Sequence, residues 1–393
     1  MNIDNYLEHL KRIHQNLLGF LDNEDTTDEN LQSLINDQQI RDDMHTLKLL
    51  LHLICKIANH HHRSPTFFEK IESIFNNFQN DIKANFSNRE IFNIFKSNKR
   101  ILLLLIEKNL ITFDESIINQ ITNGKYKEAN YPQYFDTEIC HFFNKQIENY
   151  DDNFNENRKS GENSSFICKL IQKDSVTDFI QYCTQSNYPL SSQIEPSIYE
   201  TNSFLLKSKN ISLIEYSAFF GSIQIFKYLK INGIQLTPSL WIYAIHGNNA
   251  EMIHLLEENQ IKPEDTTFNQ CYYESIKCNH NNLVMYFSDN CLNNEISNKK
   301  YSGAFGGKAG YSSEYRMCYQ HVDDSFVPII KNYNFDLLGN SDLVKLFQIL
   351  CKYEYYQFVD LLLKNEDIDI NMKLIYQMNY FIIFQIKQYL SYF

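Results

Sequence analysis

Four groups of residues in this chain have types and spacings that could do chemistry. The run Gly306-Gly307-Lys308 invites a phosphate-binding loop, whose backbone amides would cradle phosphate while the Lys reaches its outer oxygens. That motif needs a Gly five residues ahead of the Gly-Lys glycine and a Ser or Thr after the Lys. Ser302 and Ala309 stand there instead, so no hydroxyl is placed to hold magnesium. His60, His61 and His62, with His52 and Cys55 upstream, are the residue types that ligate a transition metal. His52 and Cys55 can share a helix face, but adjacent His side chains point in different directions. No carboxylate or further Cys stands at ligand spacing, so no metal and no cofactor is expected. A helix C-terminus favours cationic side chains in any case. Cys140-His141 pairs a nucleophile with a base on paper, yet neighbours on a helix do not face one another, and no GxSxG elbow is present. The aromatic stripe Tyr355, Tyr356 and Phe358 reads as core, and Trp241, the only Trp, as a packing anchor. With no catalytic constellation left, the chain is expected not to be an enzyme and to take no small-molecule substrate.

The elements that would position these residues follow from composition. Hydrophobic residues are 43% of the 393, enough to build a core, and charged residues are 21%. Only 11 Gly and 7 Pro occur, far below the ~12% typical of globular chains, which disfavours a turn-rich β fold and makes helix the default. Asn, Tyr and Phe are abundant but spread through periodic segments, which reads as codon bias in an AT-rich genome, not as a prion-like surface. The net charge of −12, with no Lys/Arg run longer than two, argues against nucleic acid and anionic membrane as partners. Nine Cys, an odd number without a CxxC pair, fit reduced thiols acting as small buried hydrophobes. The N-terminal residues lack a basic stretch followed by an apolar one, and the aliphatic run 101–106 is too short to span a bilayer. A cytoplasmic protein is the expectation.

Along the chain, Ile3, Leu7, Leu10, Ile13, Leu17, Leu18 and Leu21 recur at helical steps, and a polar break at 22–30 follows. A second helix is expected over 31–58 and a third from Pro65 and Thr66, with Phe67, Phe68, Ile71, Ile74, Phe75 and Phe78 on one face. Residues 1–87 thus read as an N-terminal helical bundle. Residues 88–147 read as a helical connector with a possible degenerate repeat, including a helix pair at 89–96 and 101–108. Residues 148–165, polar and free of aliphatics, read as a surface linker.

Beyond it, over 166–393, one pattern recurs. Units centre on Asp174, Gly221, Gly247, Cys278, His321 and Tyr353, at steps of 47, 26, 31, 43 and 32 residues. An apolar cluster follows each centre, as in Phe179-Ile180-x-Tyr182-Cys183 and Met252-Ile253-x-Leu255-Leu256. Ahead of the four middle centres lie the small residues Ala218, Ala244, Ser275 and Cys318, suited to tight packing of one helix on the next unit. Each centre should join two short helices through a left-handed residue. Gly221 and Gly247 suit that place, Asp174 and His321 tolerate it, and Cys278 and Tyr353 suit it poorly. The 43-residue step holds a Gly-rich insertion at 302–310.

The segment Leu213-Ile214-Glu215-Tyr216-Ser217-Ala218-Phe219-Phe220-Gly221, then Ile225-Phe226-Lys227-Tyr228-Leu229 and Gly233, resembles an ankyrin repeat. Thr237-Pro238 is similar to a displaced Thr-Pro-Leu-His opening, and Asp367-Ile368-Asp369-Ile370-Asn371 to the loop before an ankyrin finger. A closer resemblance is to a divergent ankyrin-like family of unknown function expanded in parasitic protists. It is carried by Phe95-Lys96-Ser97-Asn98-Lys99-Arg100, Ala129-Asn130-Tyr131-Pro132-Gln133-Tyr134-Phe135, Ile194-Glu195-Pro196-Ser197 and Glu200-Thr201-Asn202-Ser203-Phe204-Leu205-Leu206. The resemblance implies an ankyrin-like solenoid and a binding role, and no activity.

The expected fold is therefore all-α, an N-terminal helical bundle followed by an ankyrin-like helix-turn-helix solenoid. The expected function is non-catalytic binding of a protein partner through inter-repeat loops and the concave face. Lys262, Glu264 and Asp265 in one loop, and Asn365, Glu366 and Asp367 in another, are the candidate contacts. An adaptor or regulatory subunit of an enzyme complex, such as a ligase substrate receptor acting through residues 1–87, is the alternative.

Overall fold

The computed structural model describes residues 3–23, 28–36, 40–41, 44–145 and 153–292; helices and the loops that join them make up these residues, with no β-strand among them. The chain divides into two units. One is Gly19–Leu292; of the other, the described residues are 3–18, most of helix α1 (Ile3–Asp22). The centres His321 and Tyr353, the insertion 302–310, the candidate contacts Asn365, Glu366 and Asp367, and the stripe from Tyr355 lie outside the described residues.

In the Gly19–Leu292 unit, α2 (Asp28–Ile35) and α3 (Met44–His60) replace the single helix expected over 31–58. Helix α2 ends at Ile35, and Asn36 follows it in a turn. Helix α4 (Phe67–Asn85) buries the predicted stripe from Phe67 to Phe78, and Ile82 beyond it. The expected pair follows as α5 (Asn88–Phe95) and α6 (Lys99–Glu107). A Ser87–Glu90 capping box starts α5, and the Asn98 side chain caps α6 by accepting from the Ile101 amide. Residues 99–105 are all buried, so the aliphatic run belongs to an interior helix. Short helices α7 (Glu115–Ile121), α8 (Gly124–Glu128), α9 (Tyr131–Tyr134) and α10 (Asp136–Phe142) follow.

The stretch read as a surface linker is not one over its described part. Residues 154–160 form α11 (Phe154–Ser160), whose Phe154 and Arg158 are buried. A charged side chain is buried only when paired. Arg158 meets both Glu138 oxygens at 3.0 and 2.7 Å and donates to the Tyr134 carbonyl at 3.0 Å. The segments carrying the family resemblance meet in the same interior. Buried Lys99 donates to the carbonyls of Ala129 (3.2 Å) and Ile198 (2.5 Å) beneath the Tyr131 and Tyr134 rings. Burial pushes its ammonium down to about 8, against the pull of Glu200.

From Phe166 the helices come in pairs: α12 (Phe166–Gln172) with α13 (Val176–Gln185), α15 (Leu213–Phe219) with α16 (Ile223–Ile231), α17 (Leu240–Gly247) with α18 (Ala250–Glu258), and α19 (Asn269–Cys278) with α20 (Asn281–Tyr286). Helix α14 (Ser203–Lys207) precedes the second pair, and a π-helix at Phe287–Leu292 closes the unit. First helices touch in sequence, α12 on α15, α15 on α17 and α17 on α19, and α13 touches α16. One apolar core runs through the pairs from Ile167 to Phe287. Trp241 is fully buried in it and donates its indole N–H to the Ile261 carbonyl at 2.8 Å.

Most of these helices end alike. A left-handed residue stands just past the helix, and the next amide bonds the carbonyl five residues back: Ser175 to Leu170, Ser222 to Ser217, His280 to Ser275. Asp174 and Gly221 hold that place as expected, but in the next two pairs it is Asn248 (φ 45°) and Asn279 (φ 60°), not Gly247 and Cys278. Cys278 therefore ends its helix in ordinary geometry. Gly247 is small for another reason, since a Cβ there would lie 2.5 Å from the Ala218 carbonyl oxygen.

Candidate functional site

The loop between α18 and α19 carries the candidate contacts Lys262, Glu264 and Asp265. Lys262 and Glu264 are exposed. Asp265 is half-buried and occupied with the loop itself: its carboxylate accepts from the Phe268 amide (3.2 Å), the Gln270 amide (2.8 Å) and the Thr267 hydroxyl (3.2 Å). Pro263 is buried, and Phe268 lies edge-on to Trp241. The loop is thus fastened from inside at both ends and turns two charged side chains outward.

A second assembly forms where the C-terminus of α3 meets α17 and α19. His61 faces the Cys278 carbonyl through Nδ1 (2.6 Å) and Asp22 Oδ1 through Nε2 (2.7 Å). His246, on α17, faces the His60 carbonyl through Nδ1 (3.2 Å) and Glu274 Oε1 through Nε2 (2.8 Å). Helix α19 thus lends a terminal carbonyl to His61 just past α3, α3 lends one to His246 on α17, and a carboxylate orients each ring. His280 is buried between the rings of His61 (centroids 4.7 Å) and His62 (5.2 Å).

Two groups here have donor atoms close enough to share an ion, each within 4.8 Å of one another: His61, His62 and His280, and His246, Glu274 and Cys278. Neither includes His52 or Cys55; the Cys55 thiol lies against Ser97 (3.4 Å) and Asn59 (3.6 Å). The partners that seemed missing around the histidine run in sequence come from about two hundred residues downstream. No spacing rule links them; the Glu274–Cys278 step of one helical turn and the Cys278-x-His280 triplet are the only local signals. Burial pushes the His62 ring down to about 4 and the His280 ring well below its ordinary value, each helped by neighbouring histidines, so both rings are neutral with a free lone pair at neutral pH.

The second group places a thiol, an imidazole and a carboxylate in line, the order of a nucleophile, its base and an orienting acid. Cys278 is fully buried and burial pushes its thiol well up, which removes the thiolate that such chemistry requires. Burial opposes the charge of Glu274, but His246 and Lys277 outweigh it and hold the carboxyl down to about 2. Beside the cluster is a cavity of about 60 Å³, lined by His61, His62, Arg63, Glu162 and Glu200 among others. Burial pushes Glu162 up to about 7 despite Arg63. Cys140 is buried and faces Asp136 (3.6 Å), while its neighbour His141 is exposed, so that pair does not converge.

Six of the described cysteines are buried and Cys291 is partly exposed. No described helix is long and apolar enough to cross a membrane. No family model, no curated protein and no solved structure matches this chain.

Proposed function

We propose that the helix pairs from Phe166 onward are an ankyrin-like stack that serves as a non-catalytic protein-interaction module, with the loop at 259–268 as one of its contact surfaces. The observation that carries this reading is the construction of that loop. Asp265, Pro263, Phe268 and the Trp241–Ile261 bond hold its backbone, while Lys262 and Glu264 stand exposed. A loop held before binding loses little further freedom when a partner docks, which is how rigid loops gain affinity. The serial contact of first helices supports the stack, because such pairs bury their apolar faces only against neighbours. The acidic balance of the chain, −12, favours a partner with a basic surface.

The test is an affinity pull-down with mass spectrometry from native lysate, comparing the intact chain with a Lys262→Glu/Glu264→Lys double variant. Asp265 stays unchanged because its carboxylate folds the loop. A partner held by the intact chain and lost by the variant, with circular dichroism unchanged, is the expected result. A partner retained by the variant and lost on removal of residues 28–36 would favour the adaptor reading through the N-terminal segment.

A further inference from the structure

We propose that His61, His62 and His280 form a binding site for one divalent transition-metal ion of the zinc class, with Asp22 as its carboxylate ligand. The first ground is convergence. The three rings come from the end of α3 and the turn after α19, segments more than two hundred residues apart, and their donor atoms lie within 4.8 Å of one another. Three imidazoles with a carboxylate form a donor set suited to zinc and its neighbours.

The second ground is His280 itself. It is 1% exposed, and beyond a backbone contact to His246 its ring has no hydrogen-bond partner, which leaves one ring nitrogen unpaired. The corresponding residues of the preceding pairs use their side chains: Ser222 donates to the Ile171 carbonyl (2.5 Å) and Asn249 to the Gly221 carbonyl (3.1 Å). A packing role at this position is met by Ser or Asn. A buried imidazole bonded through one nitrogen leaves the other unsatisfied, and a bound ion takes that lone pair. His62 Nδ1 is likewise buried without a partner.

The third ground is support and access. His61 Nδ1 is held by the Cys278 carbonyl, so an ion would take His61 Nε2 in place of its hydrogen bond to Asp22. Asp22 Oδ1, 2.7 Å from that nitrogen and 3.8 Å from His62 Nε2, would then be a fourth ligand. The His62 side chain is 29% exposed, and it lines the neighbouring cavity together with His61, which gives an ion a route inward. An ion held here would tie α3 to the last described helix pair, a structural rather than catalytic role.

The experiment is Zn²⁺ titration of the full chain against a chromophoric chelator, with Co²⁺ absorption as a second readout. One equivalent bound with a Kd below about 1 µM is expected, with a rise in melting temperature. His62→Gln, at a partly exposed position, and His280→Gln should each weaken binding by at least about tenfold. The Co²⁺ spectrum should show ligand-field bands without a thiolate charge-transfer band. Absence of binding by the folded wild-type chain would overturn the proposal, and so would unchanged affinity in folded His62→Gln. A thiolate-to-cobalt band would overturn it in another way, by moving the ion to His246, Glu274 and Cys278.

Discussion

Asn109, Asn130, Asn144, Asn187, Asn210, Asn248 and Asn279 all sit at positive φ, between 45° and 60°. The short Asn side chain tolerates this left-handed geometry, so a chain with only 11 Gly still ends its helices cleanly. The abundance of Asn that reads as codon bias in sequence is used at helix ends in the structure. Asn248→Gly is accordingly expected to change stability by less than about 0.5 kcal/mol, and Asn248→Ala to cost about 1 kcal/mol, by urea unfolding. Gly247→Ala next to it should cost about 2–3 kcal/mol, because the new Cβ would meet the Ala218 carbonyl oxygen at 2.5 Å, a backbone atom that cannot swing aside. Glu274 gives a pH prediction. His246 and Lys277 hold its folded carboxyl down to about 2, below the 4.5 of a free Glu, so its contribution is full above 4.5 and is lost as pH falls toward 2. The stability gap between wild type and Glu274→Gln, measured by thermal melts, should be widest near neutral pH and shrink below pH 4.5.

At the scale of the element, α11 marks the limit of reading burial from composition. Its sequence, FNENRKS, has one apolar residue, and nothing local says that Arg158 goes inside. What brings it in is Glu138 on α10 and the Tyr134 carbonyl, partners about twenty residues away. Breaking such a pair from one side leaves an uncompensated buried charge. Glu138→Gln is expected to destabilise the fold by about 3 kcal/mol, whereas an exposed pair such as Lys227–Glu251 should contribute less than about 1 kcal/mol by the same measurement. A cost for Glu138→Gln no larger than that of Glu251→Gln would contradict the burial of Arg158. The capped helices behaved otherwise. The apolar stripe of α4 and the helix at α15 were legible, because amphipathic faces depend on residues a turn apart, as do the Ser87–Glu90 and Ser212–Glu215 boxes that the structure adds.

For the whole molecule, the all-helical class and the recurring units through Cys278 could be read from spacing, while the histidine assembly could not. Periodicity reports which face of a helix is buried but not which distant helix covers it, and His61 and His280 share no sequence frame. Their meeting follows from α3 packing on α14 and α19, fixed by the bonds of His61 to the Cys278 carbonyl of α19 and of His246 on α17 to the His60 carbonyl. Residues 44–60 and 240–278 should therefore lose amide protection at the same urea concentration; loss of one well before the other would show that these bonds do not couple them. The central claim concerns partner binding by the helix pairs, and hydrogen exchange of the full chain with and without the captured partner tests it most directly. The account predicts slowed exchange in the loop at 259–268, with residues 28–85 unchanged. Protection confined to 28–85, with that loop exchanging as in the free chain, would contradict it.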